Sequence, residues 1–139
     1  MNAIVKQLQF KQSDANYLDK YKIGEGYMSV YEKWNAATEN MDINACVTLL
    51  HDDYTFVRHQ SNATVSRDEW ISMAGGMFDS MKNGQMELIS SRCIYENQDI
   101  LVQHDFLSFP DGTKEAVMVV MHLKDGKIIK AETGATPIK

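Results

Sequence analysis

The sequence predicts an α+β domain, with helices packed on one face of a curved, mostly antiparallel sheet. Three observations predict it. Two amphipathic helical stripes precede the first strand-like run. A third helix, strongly capped, follows that run. From Met86 onward, four β-rich runs alternate with turn sequences and no helix intervenes. The chain has 139 residues, which suits one domain. A chain of this length buries roughly 68–70% of its unfolded surface, enough for a full core without disulfides or metal.

Residues 1–26 are rich in Lys, Gln, Asn and Asp and end in Gly24-Glu25-Gly26, so they read as an N-terminal arm preceding a single domain over residues 27–139. Tyr27, Val30, Tyr31, Trp34, Ala37 and Met41 then recur at three- and four-residue spacing, the stripe of an amphipathic helix. Asp42 can cap a second helix, whose stripe is Ile43, Cys46, Val47, Leu49 and Leu50 and which His51-Asp52-Asp53 closes. Tyr54 to His59, including Phe56, reads as a strand of β-branched and aromatic residues. Ser66 and Glu69 have the spacing of a capping box, with Val65 and Trp70 placed as a hydrophobic staple. Trp70, Ile71, Met73, Ala74, Met77, Phe78 and Met81 give that third helix its apolar face. Gly75-Gly76 within it marks close packing on a sheet or a bend, and Asn83-Gly84 ends it. The strands that follow are Met86 to Glu96, Ile100 to Phe109, Lys114 to Leu123 and Lys127 to Thr133. Asn97-Gln98-Asp99, Pro110-Asp111-Gly112 and Asp125-Gly126 are their turns.

The composition excludes several classes. Hydrophobic residues make up 44% of the chain, too many for a disordered one. A formal charge of −5 argues against nucleic acid as a partner. The longest apolar run, Ala116 to Met121, is far short of the ~20 residues of a membrane span. No signal peptide is apparent. Cys46 and Cys93 lie in no CxxC motif, so two reduced, buried thiols in a cytoplasmic protein are expected. No dinucleotide, P-loop, zinc-protease or nucleophile-elbow motif occurs, and His51, His59, His104 and His122 lack metal-ligand spacing. Neither a cofactor nor a metal is expected.

Candidate functional residues fall on the strands. Arg58 and His59 end the first one and point to opposite faces, so one of them looks inward. His104 shares a strand face with Ile100, Val102, Phe106 and Ser108. A His among apolar neighbours is commonly a structural, hydrogen-bonded residue. Lining a cavity, it is the natural general base, with an unperturbed pKa of ~6.5. The strand carrying His122 is apolar on both faces: Ala116, Met118 and Val120 on one, Val117, Val119, Met121 and Leu123 on the other. Helices cover one face; a second copy of the chain is the simplest cover for the other. Met73, Met77, Met81, Met118 and Met121 either fill the core or line an adaptable pocket.

The helix bearing Tyr31 and Trp34, the run Leu49-Leu50-His51-Asp52-Asp53-Tyr54-Thr55-Phe56, the capped third helix and the Asp125-Gly126-Lys127-Ile128-Ile129 hairpin together resemble the nuclear transport factor 2-like superfamily. Its members include ketosteroid isomerase, scytalone dehydratase and SnoaL-like polyketide cyclases. The resemblance runs from about Tyr27 to Lys139. It implies a cone: a curved mixed, mostly antiparallel sheet wrapped around helices, the cystatin-like roll, enclosing an apolar pocket. It also implies a homodimer through the back of the sheet. Aligned without gaps, the isomerase's general-base Asp falls at Arg58, its oxyanion Tyr at Trp34 and its protonated Asp at Val119. All three are replaced, which argues against steroid isomerisation by that route. The resemblance points Val102, His104 and Phe106 into the cavity, beside Tyr31, Trp34, Tyr54, Phe56, Met77, Val117, Val119 and Met121.

Two functional readings stand nearly level. One is an enzyme moving a proton on a small hydrophobic carbonyl compound by isomerase, dehydratase or cyclase chemistry. His104 would be its base, with Tyr31 or Tyr54, and Arg58 would hold a carboxylate or enolate oxygen; a one-residue slip in the first strand brings in His59 instead of Arg58. The other is a non-catalytic binder that holds a small acidic apolar ligand through Arg58. A homodimeric interaction scaffold is the third.

Overall fold

The computed structural model describes residues 22–23 and 26–139. The arm expected over residues 1–26 lies outside the described residues, apart from Lys22, Ile23 and Gly26. Lys22–Ile23 (β1) and Gly26–Tyr27 (β2) pair as a short antiparallel ribbon. Tyr27 is therefore strand, and the first helix begins three residues later than its stripe suggested.

That helix, α1, spans Val30–Glu39, and the Ser29 side chain accepts from the Glu32 N–H as its N-cap. It buries the expected stripe of Val30, Tyr31, Trp34 and Ala37. The Asp42 side chain caps α2, Ile43–Thr48, by accepting from the Ala45 N–H. β3 then starts at Leu50 and runs to Arg58. The expected helix end at His51-Asp52-Asp53 is thus strand, because β3 pairs parallel with the last strand from Leu50 opposite Ile128. A long-range partner overrides the local preference there.

Past Arg58 the chain makes a 3-10 turn, His59–Ser61, passes through Asn62 in the left-handed region and returns as β4, Ala63–Ser66. The sequence pattern missed β4. The capping box forms: the Ser66 hydroxyl accepts from the Glu69 N–H at 3.3 Å, and Glu69 Oε1 accepts from the Ser66 N–H at 3.0 Å. These bonds hold the Glu69 carboxyl below its ordinary pKa. Helix α3 runs unbroken over Arg67–Lys82 and buries Ala74 and Phe78. A Cβ added at Gly75 or Gly76 would meet nothing within 4 Å, so this pair marks neither close packing nor a break. Met73 and Met77 are exposed.

The meander follows: β5 (Glu87–Glu96), β6 (Ile100–Ser108), β7 (Lys114–Lys124) and β8 (Lys127–Ile138). Asp125 and Gly126 both take positive φ, as the two-residue hairpin requires. The six-stranded sheet has the order β4-β3-β8-β7-β6-β5, antiparallel except where β3 meets β8. It is curved and unclosed. Its concave face receives α1, so that Tyr31 and Trp34 pack with Leu101, Val119, Met121 and Ile128 in one core. Trp70 of α3 packs tilted on Trp34 (5.8 Å between ring centres) and edge-on to Tyr54 (5.6 Å).

Candidate functional site

Strand parity decides which side chains meet on the concave face. β6 and β7 pair across the Phe109–Thr113 turn with Asp105 opposite Val117, Gln103 opposite Val119 and Leu101 opposite Met121. Directly opposite residues share a face. The odd-numbered residues of β6 therefore face α1, and Leu101 and Gln103 are buried there. On β5, Ser91 stands opposite Asp105 and Cys93 opposite Gln103.

This register gathers a polar cluster at the edge of the apolar core. The Tyr31 hydroxyl and Ser91 Oγ are 3.2 Å apart. Ser91 stands directly opposite Asp105 and favours its ionised form. Gln103 Nε2 donates to both Asp105 oxygens, at 3.2 and 2.9 Å. Burial raises the Asp105 carboxyl above the ordinary range, and it outweighs Ser91, Gln103 and nearby His104, which all favour the ionised form. Burial also raises the Tyr31 phenol, opposed by the bond to Ser91 and assisted by the charge of Asp105. A carboxyl and a phenol on either side of one hydroxyl can hold, donate or take a proton on a molecule lying against them.

Tyr31 is placed by its own helix end. The Val30 N–H at the start of α1 donates to Glu96 Oε2 at 2.9 Å. Glu96 is 1% exposed and comes from the end of β5, so a carboxylate at the helix N-terminus fastens α1 to the strand that carries Ser91.

Of the residues expected at the site, Tyr31, Trp34, Tyr54, Val119 and Met121 are buried in the core, and Phe56 and Val117 pack against it. The others do not join them. His104 stands opposite Met118 on the convex face, where Arg92 Nη2 donates to its Nδ1 at 3.1 Å and its ring lies 4.6 Å from that of Phe106. Val102 and Phe106, opposite Val120 and Ala116, share that convex face. The sequence expectation is corrected here by one residue of parity. The even row of β6 is the more apolar one, with Gln103 and Asp105 on the other side, so its hydrophobic pattern pointed to the wrong face. Arg58 has the parity of Phe56 but is exposed at the strand end, donating to Gln60 Oε1 at 3.1 Å. His59 turns to the convex side, with its Nε2 3.0 Å from Glu132 Oε1. His122 Nε2 meets the other Glu132 oxygen at 2.6 Å. Met77 is 40% exposed on α3 and lines no core contact.

Gln103, Asp105 and Ser91 were missed. A hairpin centred on Asp111 pairs odd residues of β6 with odd residues of β7, but β7 is apolar on both faces, so the turn fixes the register without saying which row looks inward.

Elsewhere, a surface cleft of about 290 Å³ lies between α1 and α2, lined by residues that include Lys33, Asn40, Asp42 and Thr48. Asp42 is engaged there as the α2 cap, and the cleft contains none of Tyr31, Ser91, Gln103 and Asp105. Cys46 and Cys93 are both buried and not disulfide-bonded, and burial pushes the Cys46 thiol up to about 12. Among the described residues, no group of three or more His, Cys, Asp or Glu side chains is placed to hold a metal ion. No helix among them is long and apolar enough to cross a membrane.

A sheet curved around one helix, with a polar cluster on its concave face, defines the α+β cone class. Residues 31–131 match the SnoaL-like domain, and the chain belongs to that family within the nuclear transport factor 2-like superfamily. Solved structures agree. A Xanthomonas campestris protein of unknown function with a cystatin-like fold superposes with TM-score 0.65 at 17% identity, covering 78% of this chain and 92% of that one. A Kribbella flavida protein assigned as a ketosteroid isomerase gives 0.63 at 11%, covering 79% and 77%. An LEH-like epoxide hydrolase of M. tuberculosis gives 0.57 at 15%, covering 77% and 80%. At these identities the likeness shows the fold alone. No curated protein matches the sequence.

Proposed function

We propose that the chain binds a small, largely apolar carbonyl compound on the concave face of its sheet and moves a proton on it. Asp105 is the acid/base group and Tyr31 the donor to the carbonyl oxygen. The observation that carries this reading is the grouping of Tyr31, Ser91, Asp105 and Gln103 on the concave face, beside an otherwise apolar core. Raised by burial, Asp105 is a stronger base when ionised than a carboxylate in water. It takes a proton from the carbon beside the carbonyl, and the electron pair passes to the oxygen as an enolate. The Tyr31 hydroxyl accepts from Ser91 Oγ and donates its own proton to that oxygen. Asp105 then returns the proton to carbon, as an isomerase requires. Names among the structural neighbours, an isomerase and an epoxide hydrolase, accord with acid/base chemistry on small molecules.

This keeps the enzyme reading and changes its base from His104 to Asp105. The binder reading loses support, because Arg58, its anchor for an acidic ligand, is exposed and engaged with Gln60. A second copy of the chain is proposed to cover the convex face. Val102, Phe106, Ala116 and Val120 are only half-buried there and Met118 is 39% exposed.

The test is deuterium exchange beside the carbonyl of 2-methylcyclohexanone in D₂O, followed by NMR. The chain should accelerate exchange, with a rate that climbs as pH rises through the raised Asp105 pKa. Asp105→Asn should lose about a hundredfold. Exchange no faster than in buffer, or undiminished in Asp105→Asn, overturns the assignment.

A further inference from the structure

One polar atom on the concave face lacks a partner among the described residues. Gln103 is 3% exposed, and its Nε2 is committed to Asp105. An ionised carboxylate only accepts, so this contact fixes which end of the amide faces Asp105. Oε1 is therefore turned away from Asp105. It is buried and accepts no hydrogen bond among the described residues. Nearly all buried polar groups in folded proteins are paired. A chain that needed only packing at this position, between Cys93 and Val119, would do better with Leu or Met, which fill the volume and leave no lone pair dry. The orphan acceptor is on the same side chain that braces the proposed acid/base group.

We infer that Gln103 Oε1 receives a hydroxyl of the bound molecule, so the substrate class is a small apolar carbonyl compound that also bears an O–H group. This rests on the proposed small-molecule reading and makes it more specific. The three polar groups then divide the work by hydrogen-bond sense. Tyr31 donates to the carbonyl oxygen, Asp105 exchanges the proton with carbon, and Gln103 accepts from the hydroxyl. A molecule without a donor leaves Oε1 unpaired on binding, which is how a site selects for a hydroxyl.

The test uses two probes that differ at one group, 4-fluorophenol and 4-fluoroanisole, titrated against the full chain and read by fluorine NMR. The phenol should bind roughly five- to tenfold tighter than the ether, the ratio that one neutral hydrogen bond supplies. Gln103→Met, close in volume and without an acceptor, should bring the ratio to about one. Equal binding of the two probes to the unsubstituted chain overturns the inference and leaves the pocket reading standing. That outcome is also the one expected if a lone water satisfies Oε1. A preference that persists in Gln103→Met overturns the inference too. Failure of both probes to bind overturns the pocket reading beneath it. Gln103→Leu, also without an acceptor, supplies the same comparison should Gln103→Met not fold.

Discussion

The two faces of β6 show the same residue chemistry put to opposite uses. On the concave side, Gln103 and Asp105 lie under α1 with Ser91 and Tyr31, and loss of water raises the pKa of both the carboxyl and the phenol. One residue away on the convex side, His104 accepts from an exposed Arg92 and lies tilted against Phe106. Glu132 completes the contrast. Its bonds from His122 and His59, on the more open convex side, hold its carboxyl below the ordinary value, opposite in sign to Asp105. Whether a carboxyl is raised or lowered follows from whether burial or hydrogen-bond donors dominate around it. Here the pleat alone assigns each residue to one regime or the other.

The largest expected effect tests this contrast directly. Asp105→Asn should reduce proton exchange by about a hundredfold, whereas His104→Ala should leave kcat/KM within about twofold. The reverse result would return the chemistry to the convex face. Stability should move the other way. The folded pKa of Asp105 lies above its unfolded value, so the folded chain binds that proton more tightly. Its contribution is fullest below the unfolded pKa and is lost as pH rises through the folded one. Asp105→Asn should therefore raise Tm at pH 7–8, and by less at pH 4.

Next in size is the convex face. Met118→Asp should weaken self-association by about a hundredfold, because it places a charge at the centre of the proposed contact. Light scattering at micromolar concentration would register the change. A monomeric unsubstituted chain would remove the partner and leave the concave site untouched.

The smallest effect compares two carboxylates. Glu96→Ala removes a buried acceptor from the start of α1 and should cost about 1–3 kcal/mol in urea unfolding. Glu132→Ala, on the convex side, should stay within about 0.5 kcal/mol. Equal losses would mean that burial does not separate the two faces.

The elements legible in the sequence are those whose signals are local. The Ser66–Glu69 capping box, the Asp42 cap and the Asp125-Gly126 turn each involve residues a few positions apart, and all three form as read. The apolar stripe of α1 is buried as its spacing required. By contrast, β3 begins at Leu50 only because Ile128 lies beside it, and β4 forms only as the antiparallel partner of β3. Those pairings depend on chain segments that local pattern does not connect.

The site divides in the same way. Tyr31 was identifiable because a helix stripe has one buried side. Asp105 and Gln103 were not, because Val102, His104 and Phe106 belong to the more apolar row of the same strand. By itself, then, the sequence determined the order of helices and strands, the caps, the turns and the apolar character of the core. Tertiary structure alone decided which row of β6 looks inward, and with it which residues can act on a bound molecule. The physical reason is that alternation along a strand sorts side chains into two sets without ranking them. Only the register against β5 and β7, with α1 laid across one side, makes one of those sets the interior.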